Sequence, residues 1–153
     1  MVHLREMPEH LRDRLVNQEL PTYETTPWVE AKPLAESKIA IIRTAGLHRQ
    51  EDSPFVPGAG DYRMIPDDAD MDTLMMSHLS TNFDRTGFFQ DVNTAFPIDR
   101  LHELAEQGVV GSAASRHYSF MGATPPAMME PVARDLAGLL KADGVDAVIL
   151  VPV

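Results

Sequence analysis

The sequence contains no cysteine among its 153 residues. This absence excludes a disulfide framework, a cysteine-ligated zinc site and thiol catalysis by any residue of the sequence. Long apolar runs are missing as well: no stretch of about 18 apolar residues occurs, so we expect no transmembrane helix. The charged N-terminus lacks the apolar segment of a secretory signal. We therefore expect a cytoplasmic protein with no membrane partner.

Basic residues are scarce. Thirteen lysines and arginines face 23 aspartates and glutamates, for a formal net charge of −10. A polyanion would be repelled on average, so we expect no nucleic-acid partner. The glycine-rich signatures G-x-G-x-x-G and G-x-x-x-x-G-K-[ST] are absent, and so is the hydrolase signature G-x-S-x-G. Nucleotide binding and serine-hydrolase chemistry therefore have no motif support.

The hydrophobic patterning that is present favours an α/β domain. Apolar runs predict strands at residues 38–44, 74–79 and 145–151, with a weaker strand inside 109–120. Helical spacing predicts helices at 97–107 and 126–142, the first ended by Gly108. We expect one domain over residues 1–153, with a mostly parallel sheet of about four strands flanked by helices. The closing run reads as a buried parallel strand.

The N-terminal region predicts an extended arm. Residues 8–16 read as a short helix, and residues 20–34 carry three prolines and one tryptophan, Trp28. We expect residues 1–37, helix and arm, to pack on the domain, with Trp28 docked on the core. Residues 49–69 are rich in Asp, Pro and Gly and predict a long loop, which in a compact domain is usually functional.

Polar side chains follow each predicted strand. The candidate site residues are Thr44 and His48 after the first strand, Asn82, Asp84 and Arg85 after the second, and His117, Tyr118 and Ser119 at the third. Because carboxyl ends of parallel strands meet at one edge of a sheet, these side chains are expected to line a ligand cleft.

Each candidate also has a structural interpretation. His48 could belong to a tight turn, and His78, inside an apolar run, is better explained as a core histidine bonded to backbone. Asp84 and Arg85 could neutralise each other, whereas a ligand-facing Arg85 would suit a carboxylate. Tyr118 could be a core residue with a satisfied hydroxyl.

Three histidines near predicted strand ends, His48, His78 and His117, raise the question of a metal. Converging imidazoles can hold zinc or iron, which would suit a hydrolase or lyase. No H-x-H or H-E-x-x-H spacing occurs, so no metal ligand is assigned. Metal analysis of the purified protein would decide the matter.

Several segments together resemble the selenoprotein B family, the substrate-binding component of glycine, sarcosine, betaine and D-proline reductases. The segments are 44–48, 77–87, 97–101, 117–122 and 144–150. The resemblance covers about residues 4–153 and is closest to short single-domain bacterial relatives. It implies reductive C–N bond cleavage of a small amine or amino acid within a reductase complex. It also implies a pyruvoyl group on a partner polypeptide.

The resemblance further implies a selenocysteine or cysteine after the strand matching residues 145–150, which here would fall just after Val153. We expect a chain truncated at a UGA codon, hence a domain incomplete at its C-terminus, with His48 or His117 orienting or deprotonating the nucleophile. The full-length protein would then be an oxidoreductase with Thr44, Asn82, Asp84, Arg85, Tyr118 and Ser119 at its substrate. The alternative is a non-catalytic binding or assembly module of the same fold. An apolar closing strand could also be buried in a homo-oligomer.

Overall fold

Seven strands and four α-helices make up the described part of the chain. The computed structural model describes residues 3–20, 22–26, 28–80 and 84–152. The helices are α1 (Glu9–Val16), α2 (Thr86–Gln90), α3 (Ile98–Glu106) and α4 (Pro126–Ala142). The strands are β1 (Lys38–Arg43), β2 (Leu47–Arg49), β3 (Tyr62–Pro66), β4 (Leu74–Met76), β5 (Ser112–Ala113), β6 (Arg116–Phe120) and β7 (Ala147–Val151). No helix among these residues has the length and hydropathy needed to cross a membrane.

The main sheet is built around β1. This strand pairs in parallel with β5 and β6 on one side and with β7 on the other, and β3 adds an antiparallel edge to β6. The register places Arg43 of β1 opposite both Ser119 and Val151. The carboxyl ends of β1, β6 and β7 therefore meet at one edge, which we name the carboxyl edge. The predicted mostly parallel α/β sheet is confirmed.

Side-chain alternation along β1 divides the core into two layers. Ile39 and Ile41 point to one face and pack with Phe96 and with Leu101 of α3. Ala40 points to the other face. The second layer also contains Tyr118, Phe120, Leu136 and Leu140, the last two from α4. Successive strand residues face opposite sides of a sheet, so a hydrophobic run such as that of β1 fits a strand covered on both faces.

A second, two-stranded sheet corrects the expectation for residues 74–79. The strand there is β4, and it pairs antiparallel with β2 instead of joining the parallel sheet. The predicted loop over residues 49–69 was also partly wrong, because β3 lies inside it. Its antiparallel partner β6 stabilises this short segment, which has little hydrophobic periodicity of its own.

The predicted helices agree with α1, α3 and α4, and Gly108 has the positive φ of 70° expected after α3. Two expectations about burial were wrong. Trp28 is 91% exposed and does not dock on the core. The closing strand β7 is not buried: Val148 and Leu150 are 40% and 68% exposed, because β7 is an edge strand. Val153, after which the nucleophile was expected, lies outside the described residues. The single-domain boundary and the packed N-terminal arm stay predictions.

Candidate functional site at the carboxyl edge

Backbone hydrogen bonds hold the segments of the carboxyl edge together. Gly46 N donates to the Phe120 carbonyl at 2.8 Å, and the Gly46 carbonyl accepts from Ser77 N at 2.9 Å. Thr44 N donates to the Val151 carbonyl at 3.3 Å. The ends of β1, β6 and β7 and the residue after β4 are thus fixed against one another.

Two glycines permit this close approach. Gly46 has φ +62°, and a Cβ there would lie 2.9 Å from the backbone nitrogen of His78. Gly122 has φ +87°, and a Cβ there would overlap the carbonyl of Thr44. Only glycine tolerates both the positive φ and the contact. The turn after β1 is therefore pressed directly onto the residues that follow β4 and β6.

His48 lies on β2 and forms a pair with Ser77. Its Nδ1 is 2.8 Å from the Arg49 carbonyl, which can only accept, so Nδ1 carries the proton. Nε2, 2.8 Å from Ser77 Oγ, then accepts from that hydroxyl. His48 is 4% exposed. The imidazole thus orients Ser77, a residue to which the sequence analysis gave no role.

Arg85 and Asp84 have separate tasks at the start of α2. Arg85 Nη2 donates to the carbonyls of His78 and Ser80, at 2.5 and 3.3 Å. Asp84 Oδ1 accepts from Thr86 N at 2.9 Å, and this bonding lowers the pKa of Asp84. Arg85 is therefore held beside His78 at the carboxyl edge, whereas Asp84 is exposed and accepts from the first amide of α2. Asn82 lies outside the described residues.

His78 is the core histidine that its apolar setting indicated. It is 5% exposed, and its Nδ1 accepts from Ser80 N at 3.1 Å. Burial lowers the pKa of His78, and the nearby charges of Arg85 and Arg43 lower it further. A neutral imidazole among cationic groups indicates a positive local potential.

Arg43, the last residue of β1, is a site residue that the sequence analysis missed. It is completely buried, and its guanidinium carbon lies 5.7 Å from the centroid of the Phe96 ring. None of its three nitrogens has a hydrogen-bond partner among the described residues. Burial lowers the pKa of Arg43 to about 9. The only signal in the sequence was a cation directly after the apolar run 39–42.

His117 has both ring nitrogens engaged. Ile41 N donates to Nδ1 at 2.9 Å, so the proton is on Nε2, which donates to Asp67 Oδ1 at 3.0 Å. His102 Nε2 lies 2.8 Å from the same oxygen. Burial lowers the pKa of His117, and Asp67 only partly offsets this. Burial alone would raise the pKa of Asp67, but the hydrogen bonds from His117 and His102 leave it below its usual value.

Tyr118 and Ser119, which follow His117 on β6, point to opposite faces of the sheet. Ser119 is fully buried on the Arg43 face, and its hydroxyl accepts from Leu47 N at 2.8 Å. Tyr118 is buried in the layer against α4, with its ring 5.2 Å from that of Tyr62. Burial raises the pKa of Tyr118. The structure thus brings Thr44, Ser119 and Arg85 to the carboxyl edge and places Tyr118 across the sheet.

A metal centre built on three histidines finds no support here. Among residues 3–20, 22–26, 28–80 and 84–152 no group of three or more His, Asp or Glu side chains is arranged to hold a metal ion. His48 and His117 instead bond to Ser77 and Asp67. A shallow groove of about 490 Å³ between Tyr23 and α4 includes none of the predicted site residues.

Comparison with known proteins places this chain in a family. A family model described as glycine/sarcosine/betaine reductase selenoprotein B matches residues 12–153. The D-proline reductase subunit gamma of Acetoanaerobium sticklandii is 34% identical over 122 residues, which are 78% of this chain and 50% of that protein. The glycine reductase complex component B subunit gamma of Symbiobacterium thermophilum is 28% identical, over 86% of this chain and 32% of that protein.

The corresponding subunit of Carboxydothermus hydrogenoformans is 27% identical over the same shares of the two chains. The chain thus spans between a third and a half of the length of these relatives. No solved structure matches it. The family match covers nearly the whole sequence, including every segment of the carboxyl edge. This chain therefore belongs to the glycine/sarcosine/betaine reductase selenoprotein B family.

Proposed function

We propose that this chain forms the substrate-binding part of an oxidoreductase component that reductively cleaves the C–N bond of a small amine or amino acid. The observation that carries the proposal is the polar carboxyl edge in a chain of this family. Thr44 follows β1 and Ser119 lies near the end of β6. Arg85 donates to the carbonyl of His78, whose backbone packs against Gly46 in the turn after β1. Ligands of open α/β sheets bind outside the carboxyl ends of the strands.

The proposal assigns binding and orientation to this chain. The 153 residues hold no cysteine, so the selenol or thiol that supplies electrons to the bond must come from residues beyond these. Its expected position just after Val153 stays a prediction, because the described residues end at 152. A pyruvoyl group that activates the amine would belong to a partner polypeptide. His48 and His117 are supporting residues: His48 orients Ser77, and His117 ties β6 to β1 through the Ile41 amide.

The relatives supply the substrate classes to test. Their names refer to glycine reductase and D-proline reductase. We expect the natural gene product, purified with its partner subunits, to act on at least one of four compounds in the presence of a dithiol reductant. Glycine, sarcosine and betaine would release ammonia or an amine, whereas D-proline would open to a linear amino acid that keeps its nitrogen. If none of the four compounds is reduced, the proposed reaction is refuted.

Arg85 gives the residue-level test. In Arg85→Ala we expect KM to rise about tenfold or more, because a charge-assisted hydrogen bond to the substrate is lost. Arg116→Ala is the matched control: Arg116 pairs with Asp143 at the other end of β6, away from the carboxyl edge. Unchanged turnover and KM in Arg85→Ala would remove Arg85 from the binding site.

The exposed strand β7 favours a second function, a non-catalytic assembly module that docks on another reductase subunit. Apolar side chains on an unpaired edge mark an interaction surface. Leu150→Lys should then abolish co-purification with the partner subunits and leave the circular dichroism spectrum unchanged. Intact co-purification in this variant would count against assembly through β7.

A further inference from the structure

The buried guanidinium of Arg43 has no anion among the described residues. Arg43 is fully buried, and its three side-chain nitrogens have no hydrogen-bond acceptor among the described residues. Burial alone shifts the pKa of Arg43, with no contribution from a carboxylate. The Phe96 ring provides a weak aromatic contact only. A buried charge without a partner is costly, and natural proteins pair such groups or use them for ligands.

Two other arginines, both partly buried, are paired with acids. Arg49, with 31% of its side chain exposed, pairs with Glu51 and Asp52. Arg63, at 16%, pairs with Asp61 at 2.6 Å. Arg43 is more deeply buried than either and differs from both in having no acid beside it. Of these three arginines, only Arg43 lacks an anionic partner among the described residues.

Arg43 remains charged at neutral pH. With a pKa of about 9, only about one molecule in a hundred is neutral at pH 7. The same position lies in a positive local potential, since the charges of Arg85 and Arg43 both lower the pKa of His78. Both facts favour an anion at this place over a neutral ligand.

We propose that Arg43 holds the carboxylate of a small-molecule ligand at the carboxyl edge of the sheet. The planar fork of a guanidinium matches the two oxygens of a carboxylate. Arg43 lies in register with Ser119 and Val151, and its guanidinium is on the sheet face covered by Phe96, so the anion would sit on that face near the ends of β6 and β7. The nature of the ligand, an amino acid or its derivative, rests on the proposed function; the anion site itself does not.

The burial of Arg43 should also slow the association of the ligand. Because Arg43 has no exposed surface, a carboxylate reaches it only after the neighbouring structure opens. We therefore expect an association rate constant below about 10⁵ M⁻¹s⁻¹, which is the low end of the typical range.

The test compares ligands with and without a carboxylate on the full natural protein. The probes are glycine and D-proline against glycinamide and D-prolinamide, and the readouts are Tm and calorimetric Kd. We expect the two acids to raise Tm and the two amides to leave it unchanged. In Arg43→Met we expect an unliganded Tm at or above the wild-type value and binding of the acids at least about tenfold weaker. Arg43→Lys should retain part of the affinity, and Arg116→Met should bind as wild type.

Three results would overturn the proposal. Amides that bind as tightly as the acids would remove the carboxylate from recognition. Wild-type affinity in Arg43→Met would remove Arg43. The absence of any Tm shift with the acids would indicate that the anion belongs to another polypeptide. Turnover is measured separately. If binding depends on Arg43 but no compound is reduced, only the proposed function is refuted. If a compound is reduced but its binding does not depend on Arg43, only this inference is refuted.

Discussion

The cluster of Asp67, His117 and His102 allows a quantitative prediction for Asp67→Ala. His117 Nε2–H donates to Asp67 Oδ1, and the His117 side chain has no exposed surface. Removal of the carboxylate leaves this buried donor unpaired, at a cost of about 1–3 kcal/mol. The bond from His102, whose side chain is 39% exposed, adds less than about 1 kcal/mol. We expect the free energy of unfolding to fall by about 1–4 kcal/mol.

Two variants make this prediction specific. Asp67→Asn keeps an oxygen that can accept from both imidazoles, so we expect a loss of only about 1 kcal/mol. Asp61→Ala removes a carboxylate that is 57% exposed and pairs with Arg63, so it should cost between about 0 and 1 kcal/mol. Urea unfolding at pH 7 measures all three. A loss in Asp67→Ala no larger than that in Asp61→Ala would refute the reasoning about His117.

The pH dependence of stability tests the same cluster. His117 has a lowered pKa in the folded chain, so below about pH 6.5 the unfolded chain binds a proton that the folded chain does not. Stability is therefore expected to fall as the pH drops below about 6.5, by up to about 1.4 kcal/mol per pH unit, until the folded pKa is reached. Asp67, also with a lowered pKa, adds a further loss at more acidic pH. In His117→Gln the limb that starts near about pH 6.5 should be smaller.

Two further substitutions probe the carboxyl edge. Gly122→Ala should cost more than about 1 kcal/mol, because φ is +87° and the new Cβ overlaps the carbonyl of Thr44. Gly138 lies in α4 with open space around it, so Gly138→Ala should be neutral or stabilise the protein by up to about 1 kcal/mol. Thermal unfolding of both variants measures the contrast, and equal effects would contradict it. Ser77→Ala leaves Nε2 of the buried His48 without its donor, so the free energy of unfolding in urea should fall by about 1–3 kcal/mol. Wild-type stability in this variant would show that the nitrogen finds another partner.

Local sequence patterns were sufficient for the elements that follow strong periodicity. The run of β1 and the helical spacing of α3 and α4 determine those elements largely by themselves, and all three were predicted. The strand β3 was missed because Tyr62–Pro66 ends in proline and gains its strand character from pairing with β6. The burial of Trp28 was predicted wrongly because large aromatic residues tend to be buried, and the amino-acid type alone does not ensure burial at a given position.

The location of the site could be predicted from strand order, but its chemistry could not. Thr44 and Arg85 were placed at strand ends by the sequence, and the structure brings both to the carboxyl edge. Arg43 was overlooked because a cation that ends a strand is ordinarily solvated. Its burial arises only from tertiary pairing, since β6 and β7 flank it on both sides.

The polar groups are concentrated on one face of the sheet. Arg43, His117 and Ser119 all lie on the face covered by Phe96, whereas Tyr118 lies on the face covered by α4. His117 and Ser119 bond to backbone amides of Ile41 and Leu47, so their hydrogen-bonding capacity stabilises the fold. Arg43 alone in this set has side-chain polar atoms with no hydrogen-bond partner among the described residues. The structural roles of its neighbours thus hold Arg43 in a fixed position from which its charge can act on a ligand.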